Sequence, residues 1–116
     1  MKFVINYWRN SSGKAPVEKY IDAIDNKEER AEILNTLKGV QQYGTDAVGV
    51  EFRHIEGKLW ELKILTHGHQ HRIFYVVLEG NKMFLVHAYL KKTPKAPMNE
   101  IMTARQRMKQ LAEKRR

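Results

Sequence analysis

The alternation of apolar and polar positions predicts β-strands at the start of the chain and along its second half. Residues 2–8 alternate and are rich in β-branched and aromatic side chains, which is typical of a strand. Residues 58–65 alternate in the same way, and the apolar segments 70–78 and 82–92 follow after short turns that each contain a glycine. Strands joined by such short turns are typical of an antiparallel meander.

Apolar residues at helical spacing predict three helices. The first begins near Pro16, the second extends from about Lys27 to Tyr43 with Gly44 as its stop, and the last opens at Pro97. Residues 45–57 are interrupted by glycine and fit no element. The sequence therefore predicts an α+β fold in the order β-α-α-β-β-β-α, with an antiparallel sheet of about four strands and the helices packed on one face.

Length and composition indicate a single globular domain that spans residues 1–116. Hydrophobic residues make up 42% and charged residues 29%, which is ordinary for a soluble protein. The chain has no cysteine, which excludes disulfides, thiolate metal clusters and a cysteine nucleophile. We find no signal peptide, and the longest apolar run, Ile73 to Leu78, is far too short for a membrane span. We expect a cytoplasmic protein with no membrane partner.

The positive charge is concentrated at the end of the chain. The net charge is +8, yet residues 1–90 contain 12 lysines and arginines against 11 acidic residues, whereas residues 91–116 contain 9 against 2. A one-sided basic block attracts polyanions and favours contact with a phosphate backbone. A solvated tail that only aids solubility is the alternative.

Strict alternation along the last strand predicts one core face and one functional face. Phe84 and Val86 point one way, towards the predicted core. His87, Tyr89 and Lys91 point the other way, and this second set becomes polar towards the end of the strand. We therefore expect the second set to lie on the free face of the sheet.

Three cations interrupt or close otherwise apolar strands. They are Lys63, Arg72 and Lys91, and on adjacent strands they would form a positively charged surface that suits a phosphate. Charged residues that protect strand edges against aggregation are the alternative interpretation, which we favour for Lys92.

A His-x-His-x-His series raises the question of a metal site. His67, His69 and His71 would share one face of an extended segment, and imidazole binds zinc or nickel. The segment lies in a predicted turn, however, and the nearest carboxylates in the sequence, Glu61 and Glu79, lie outside it. The sequence alone therefore assigns no metal site and no cofactor, and whether His67, His69 and His71 bind an ion stays open at this point.

Several segments together resemble the RelE/ParE toxin superfamily, and in particular its HigB-like, phage-derived branch. They are LWELK at 59–63, RIFY at 72–75, HAYLKKTPKAP at 87–97, and the pairs at 100–101 and 104–105. The order of predicted elements agrees over nearly the whole chain. This branch usually has arginine where the chain has Lys63, and lysine keeps the charge but loses the bidentate grip on phosphate.

The resemblance implies the toxin of a type II toxin–antitoxin pair, which cleaves mRNA on the ribosome and is silenced by an antitoxin, here expected to be a helix-turn-helix protein. The catalytic positions it implies are Lys63, Arg72, His87, Tyr89 and Lys91. The cations expected to contact RNA or the ribosome lie in the basic block: Lys92, Lys95, Arg105, Arg107, Lys109, Lys114, Arg115 and Arg116.

Cleavage by 2′-hydroxyl attack requires a base, an acid and fixed positive charge at the phosphate. Arg72 and Lys63 suit the charge without a metal, while His87, Tyr89 and Lys91 are the candidates for proton transfer. Two alternatives stay open: a gyrase-inhibiting toxin of the ParE type without nuclease activity, and a non-catalytic RNA-binding module with exposed stacking aromatics.

Overall fold

A computed structural model describes residues 1–95 and 97–114, and within that range it has one five-stranded sheet and three α-helices. The elements in chain order are β1 (Val4–Tyr7), α1 (Pro16–Asp22), α2 (Lys27–Tyr43), a short 3-10 helix (Gly44–Asp46), β2 (Glu51–Glu56), β3 (Leu59–Thr66), β4 (His69–Leu78), β5 (Lys82–Lys91) and α3 (Met98–Lys114). The predicted α+β class is confirmed. In the described range no helix has the length and apolar composition that a bilayer crossing requires.

The sheet has the strand order β1-β5-β4-β3-β2 and is mixed rather than wholly antiparallel. Strands β3 to β5 form the predicted meander, which β2 extends by one antiparallel strand. In contrast, β1 pairs in parallel with β5, with Val4 opposite Lys82 and Tyr7 opposite Leu85. This pairing joins segments more than 70 residues apart. No turn connects them directly, so the local pattern carries no signal of their relative direction.

The fifth strand, β2, lies in the segment that fitted no element. It occupies the sheet edge next to β3 and has polar residues on both faces, including Glu51, Arg53 and His54. A register shift between His54 and Glu56 interrupts its pairing. Charges and irregular pairing on an edge strand discourage association with other chains, and they also hide the alternation by which strands are recognised.

The helices cover both faces of the sheet, which corrects the expectation of a single helical face. Helices α1 and α2 pack through Val17 and Ile33 on a cluster that includes Ile73. Helix α3 packs through Ala104 on a second cluster that includes Phe74. The reason is β4, whose continuous apolar run directs alternate side chains to both sides and so needs cover on both.

A β-bulge in β5 reverses the predicted faces of that strand. Phe74 pairs with His87, but the next pair is Tyr75 with Leu85, which leaves Val86 as an extra residue. His87 and Val86 therefore both contact α3, Val86 in the apolar cluster and His87 through hydrogen bonds. The expectation that these two residues lie on opposite faces is wrong for this reason.

Candidate functional site

A cleft opens on the α3 side of the sheet, where the start of α3 meets strands β2 to β5. Its volume is about 420 Å³. Its polar lining includes His54, and we call it the polar cleft after five other polar residues: Arg53, Glu61, Arg72, Tyr89 and Lys91. Apolar walls come from residues that include Pro94, Pro97 and Ile101.

The register of the sheet brings these polar side chains together. Arg53 lies opposite Glu61 on neighbouring strands, and Arg72 lies opposite Tyr89. Residues two apart on a strand share a face, so Lys91 lies on the same face as Tyr89. The short hairpins and the bulge at Val86 together fix this register, because the bulge places Tyr89 rather than Ala88 opposite Arg72.

A buried ion pair forms the floor of the polar cleft. Arg72 is only 4% exposed and Glu61 only 2%. The Arg72 Nη1 donates to Glu61 Oε1 at 2.7 Å, and Nη2 donates to Gln70 Oε1 at 3.0 Å. Within the described residues, Arg72 Nε is a buried donor without a hydrogen-bond partner. Arg72 is therefore a fixed, largely neutralised cation and not a freely exposed one.

Glu61 also organises two further groups of the polar cleft. Arg53, whose side chain is 52% exposed, places Nη1 at 3.5 Å from Glu61 Oε1. The Tyr89 hydroxyl donates to Glu61 Oε2 at 3.4 Å. Burial first, and then the neighbouring Glu61 carboxylate, raise the pKa of Tyr89 to about 12, so Tyr89 keeps its proton at neutral pH and can donate it.

Sequence reasoning did not select Glu61 or Arg53. Glu61 had a detectable signal, because it lies two residues before Lys63 on the same strand face and directly inside the LWELK segment. Arg53 had none, because it belongs to the edge strand β2 that the pattern did not reveal.

His87 lies beneath α3, beside the polar cleft. Arg107 Nη1 donates to His87 Nδ1 at 3.1 Å, and Nε2 lies 3.1 Å from Glu100 Oε2. Burial lowers the pKa of His87 below its usual 6.5; Glu100 opposes this effect and Arg107 adds to it. Arginine can only donate, so the neutral ring carries its proton on Nε2 and gives it to Glu100. Both ring nitrogens are thus engaged with α3.

The five predicted catalytic residues are divided by the structure. Arg72, Tyr89 and Lys91 meet in the polar cleft, whereas His87 and Lys63 do not line it. Lys63 lies opposite Arg72 on the neighbouring strand, with its Nζ at 3.5 Å from Glu51 Oε2. The Lys91 Nζ donates to the carbonyl oxygen of Lys95 at 3.1 Å, across the loop that leads to α3.

The predicted RNA-binding cations take up different positions. Lys92 and Lys95 line a second recess of about 490 Å³, which shares Tyr89, Lys91 and Pro97 with the polar cleft. Lys109 and Lys114 are exposed on α3, and Arg115 and Arg116 lie outside the described residues.

Two arginines of α3 make contacts within the protein. Arg105 forms two hydrogen bonds of 2.8 Å with the carboxylate of Glu56. Arg107 donates to the Val86 carbonyl oxygen at 3.0 Å, and its guanidinium lies 5.1 Å from the centre of the Trp8 ring. These contacts attach α3 to the sheet.

The chain belongs to the phage-derived Gp49-like protein family (DUF891), which matches residues 19–109. This is in general a family of RelE/HigB-like toxins, and the matched range contains every residue of the polar cleft. No curated protein matches the chain.

Proposed function

We propose that this member of the Gp49-like family is the toxin of a type II toxin–antitoxin pair and a ribosome-dependent mRNA endonuclease. The observation that carries the proposal is the polar cleft, in which two arginines, a lysine, a tyrosine and a carboxylate face one hollow of about 420 Å³. Family membership supports the toxin role in general terms, and the chemistry of the cleft supports the choice of RNA.

Positive charge in the cleft suits a phosphate that gains charge during cleavage. Arg53 and Lys91 are partly exposed and can contact the phosphate directly, while Arg72, largely neutralised by Glu61, holds that carboxylate in place behind them. Donors that are already in place at developing charge supply a large share of catalysis, and the loss of one costs about 10²–10³-fold in rate.

Proton transfer is assigned to Glu61 and Tyr89. Glu61 Oε1 is engaged by both arginines, whereas Oε2 faces only the long contact with the Tyr89 hydroxyl among the hydrogen bonds and ion pairs of the described residues. Glu61 Oε2 accepts the proton of the attacking 2′ hydroxyl, whose oxygen bonds to phosphorus. The bond from phosphorus to the 5′ oxygen breaks, and Tyr89 protonates the leaving oxygen. The products are a 2′,3′-cyclic phosphate and a 5′ hydroxyl.

Inducible expression in cells tests this proposal. Wild-type protein should arrest growth and create new mRNA 5′ ends within reading frames, while DNA supercoiling stays unchanged. Tyr89→Phe and Lys91→Ala should abolish the new ends. Lys38→Ala is the matched control, because Lys38 is exposed on α2, which covers the opposite face of the sheet from the polar cleft. Altered supercoiling without mRNA cleavage would show a gyrase toxin instead. Binding of RNA without cleavage or arrest would show a non-catalytic module.

An antitoxin partner follows from the toxin assignment. A chain of net charge +8 should be neutralised by an acidic segment that covers the polar cleft, with an association rate that falls as salt rises. Co-expression with the product of the adjacent gene, a helix-turn-helix protein by resemblance, should restore growth and give a stable complex. Failure of every neighbouring gene product to do so would contradict the assignment.

A further inference from the structure

Three metal-ligating side chains meet on the side of the sheet that faces away from the polar cleft. Glu29 comes from α2, and His69 and His71 come from β4. One ligand atom from each lies within 4.8 Å of the other two. Glu29 and His71 are each only 3% exposed, while the side chain of His69 is 53% exposed and leaves the cluster open to solvent.

The local fold holds these residues in place. His67 and Gly68 form the tight turn between β3 and β4, both with positive φ, 53° and 75°, so the series becomes extended only from His69 onward. His69 and His71 then share a face. On the helix side, the Asn26 side chain accepts from the backbone N–H of Glu29 and caps α2. This cap fixes Glu29 in the first turn of the helix.

The geometry of the donor atoms fits a tetrahedral ion. Glu29 Oε2 lies 2.8 Å from His69 Nδ1 and 2.5 Å from His71 Nε2. Metal bonds of about 2.0–2.1 Å set tetrahedral ligand atoms roughly 3.3 Å apart, so each of these two distances must open by less than about 1 Å. The two imidazole nitrogens lie within 4.8 Å of each other and must close by at most about 1.5 Å. The donors come from side chains, and the half-exposed His69 has room to move.

A further contact orients the buried imidazole as metal sites require. The Tyr20 hydroxyl of α1 lies 2.7 Å from His71 Nδ1. When His71 binds a cation through Nε2, its proton resides on Nδ1 and is donated to the Tyr20 oxygen. Such outer partners fix the tautomer of metal-binding histidines, and their removal typically weakens metal binding by about 10–100-fold.

We propose that Glu29, His69 and His71 bind one divalent transition-metal ion of the zinc or nickel class, with a water molecule as fourth ligand. Two imidazoles and a carboxylate suit these metals better than magnesium or calcium, which prefer oxygen. His67 lies outside this group of ligand atoms. Its Nδ1 lies 2.9 Å from Thr66 Oγ1, and its ring nitrogens lie 3.9 Å from carboxylate oxygens of Glu28 and Glu32.

The bound ion would join α2 to β4. Arg72, the residue after His71, points to the opposite face and into the polar cleft, so the metal is a structural clamp and not a participant in cleavage. The inference is independent of the proposed function, because a protein without nuclease activity would still bind the ion here.

Titration of untagged, chelator-stripped protein with Zn²⁺ and Co²⁺ tests the site. We expect one ion per chain by calorimetry, the visible absorption bands of tetrahedral Co²⁺, and an unfolding midpoint raised by roughly 10 °C at a hundredfold excess over the Kd. Tyr20→Phe should weaken binding by about 10–100-fold. His69→Ala should weaken it by at least as much, since it removes a ligand.

Three further variants, one test and two controls, separate this site from simple chelation by a His-x-His pair. Glu29→Gln keeps the shape of the buried side chain but removes its charge, and it should weaken Zn²⁺ binding by on the order of a hundredfold. His67→Ala and His54→Ala are the matched controls and should bind like wild type. Unchanged affinity in both Glu29→Gln and Tyr20→Phe, or abolished binding in His67→Ala, would overturn the proposal. So would wild-type protein that takes up no stoichiometric metal.

Discussion

At the scale of single residues, Glu61 determines what its neighbours can do. One buried carboxylate receives a short hydrogen bond from Arg72, an ion pair from Arg53 and a hydrogen bond from Tyr89. A buried charge is tolerable only when it is paired and hydrogen-bonded. Glu61 therefore stabilises the very cations that would hold a phosphate, and substitutions of these residues affect folding and function to different degrees.

Replacement of Arg72 is expected to act mainly on folding. Arg72→Ala leaves the Glu61 charge buried without its main partner, which typically costs about 3–5 kcal/mol. Arg53→Ala removes a half-exposed partner of the same carboxylate and should cost less than about 1 kcal/mol. Urea unfolding of the two variants measures both values. Equal small losses would show that the Arg72–Glu61 pair is not buried as described. Because Arg72→Ala is expected to destabilise the fold, a growth test of this variant can be interpreted only together with its measured stability.

His87 should make the folded state less stable in mild acid. Burial lowers its pKa below 6.5, so below that pH the unfolded chain binds a proton more readily than the folded chain does. The stabilisation that neutral His87 contributes is therefore fully present above pH 6.5. It is lost as the pH falls through the lowered pKa of His87 in the folded protein. Glu100 and Arg107 contact the nitrogens of the His87 ring from α3. The rings of Phe74 and Tyr89 lie nearly parallel to the His87 ring.

Comparison of wild type with His87→Gln isolates this contribution. Glutamine can donate to Glu100 and accept from Arg107 but does not titrate. The free energy of unfolding should fall less between pH 7.5 and pH 5.5 in the variant than in wild type, while the other histidines contribute equally to both. A steeper fall in the variant would mean that His87 is charged in the folded protein.

At the scale of the elements, helix ends and hairpin turns are predictable, because residues close together in the sequence determine them. The Lys27–Tyr43 helix has the predicted bounds, because each end has its own local signal: acidic residues in the first turn and the stop at Gly44. Hairpin positions follow from glycines with positive φ such as Gly68 and Gly80. The bulge at Val86 has no such signal, since it depends on how β5 pairs with β4, and it reverses the faces of all later residues of the strand.

Arg107 has a structural role that its position in the sequence does not indicate. The RNA contact suggested by its position in the basic block stays a prediction. In the structure, Arg107 holds α3 against the sheet through the Val86 carbonyl, His87 and Trp8. Arg107→Ala should therefore destabilise the fold by about 1.5–3 kcal/mol. Lys109→Ala, exposed on the same helix, should change stability by less than about 0.5 kcal/mol. Denaturant unfolding measures both, and similar values for the two variants would contradict this role.

At the scale of the whole molecule, the two faces of the sheet carry different chemistry. Arg72 and His71 are consecutive in the chain, yet one enters the polar cleft and the other the Glu29 cluster. The sequence indicates cations on adjacent strands and a histidine series, which are local features. The carboxylates that complete both groups, Glu61 and Glu29, make their contacts across 11 and 42 positions. Glu61 lies beside Lys63 in the LWELK segment, whereas no local pattern reveals Glu29.

The placement of charge over the molecule predicts a division between binding and chemistry. Lys91 lies in the polar cleft, whereas Lys114 is exposed at the end of α3 and is followed by Arg115 and Arg116 in the sequence. Removal of residues 114–116 should weaken ribosome binding and reduce the slope of its salt dependence by roughly 0.7–0.9 for each phosphate that the protein no longer neutralises. Cleavage of message on saturated ribosomes should be almost unchanged.

Lys91→Ala should have the opposite effect. Ribosome binding should stay within a few-fold of wild type, because the basic end of the chain is intact. The single-turnover rate should fall by about a hundredfold, which is typical when a donor is removed from the developing charge of a phosphate. Single-turnover cleavage at several enzyme concentrations separates the two effects. If the truncated protein cleaves slowly on saturated ribosomes while Lys91→Ala does not, the basic end of the chain takes part in the chemistry and the polar cleft does not.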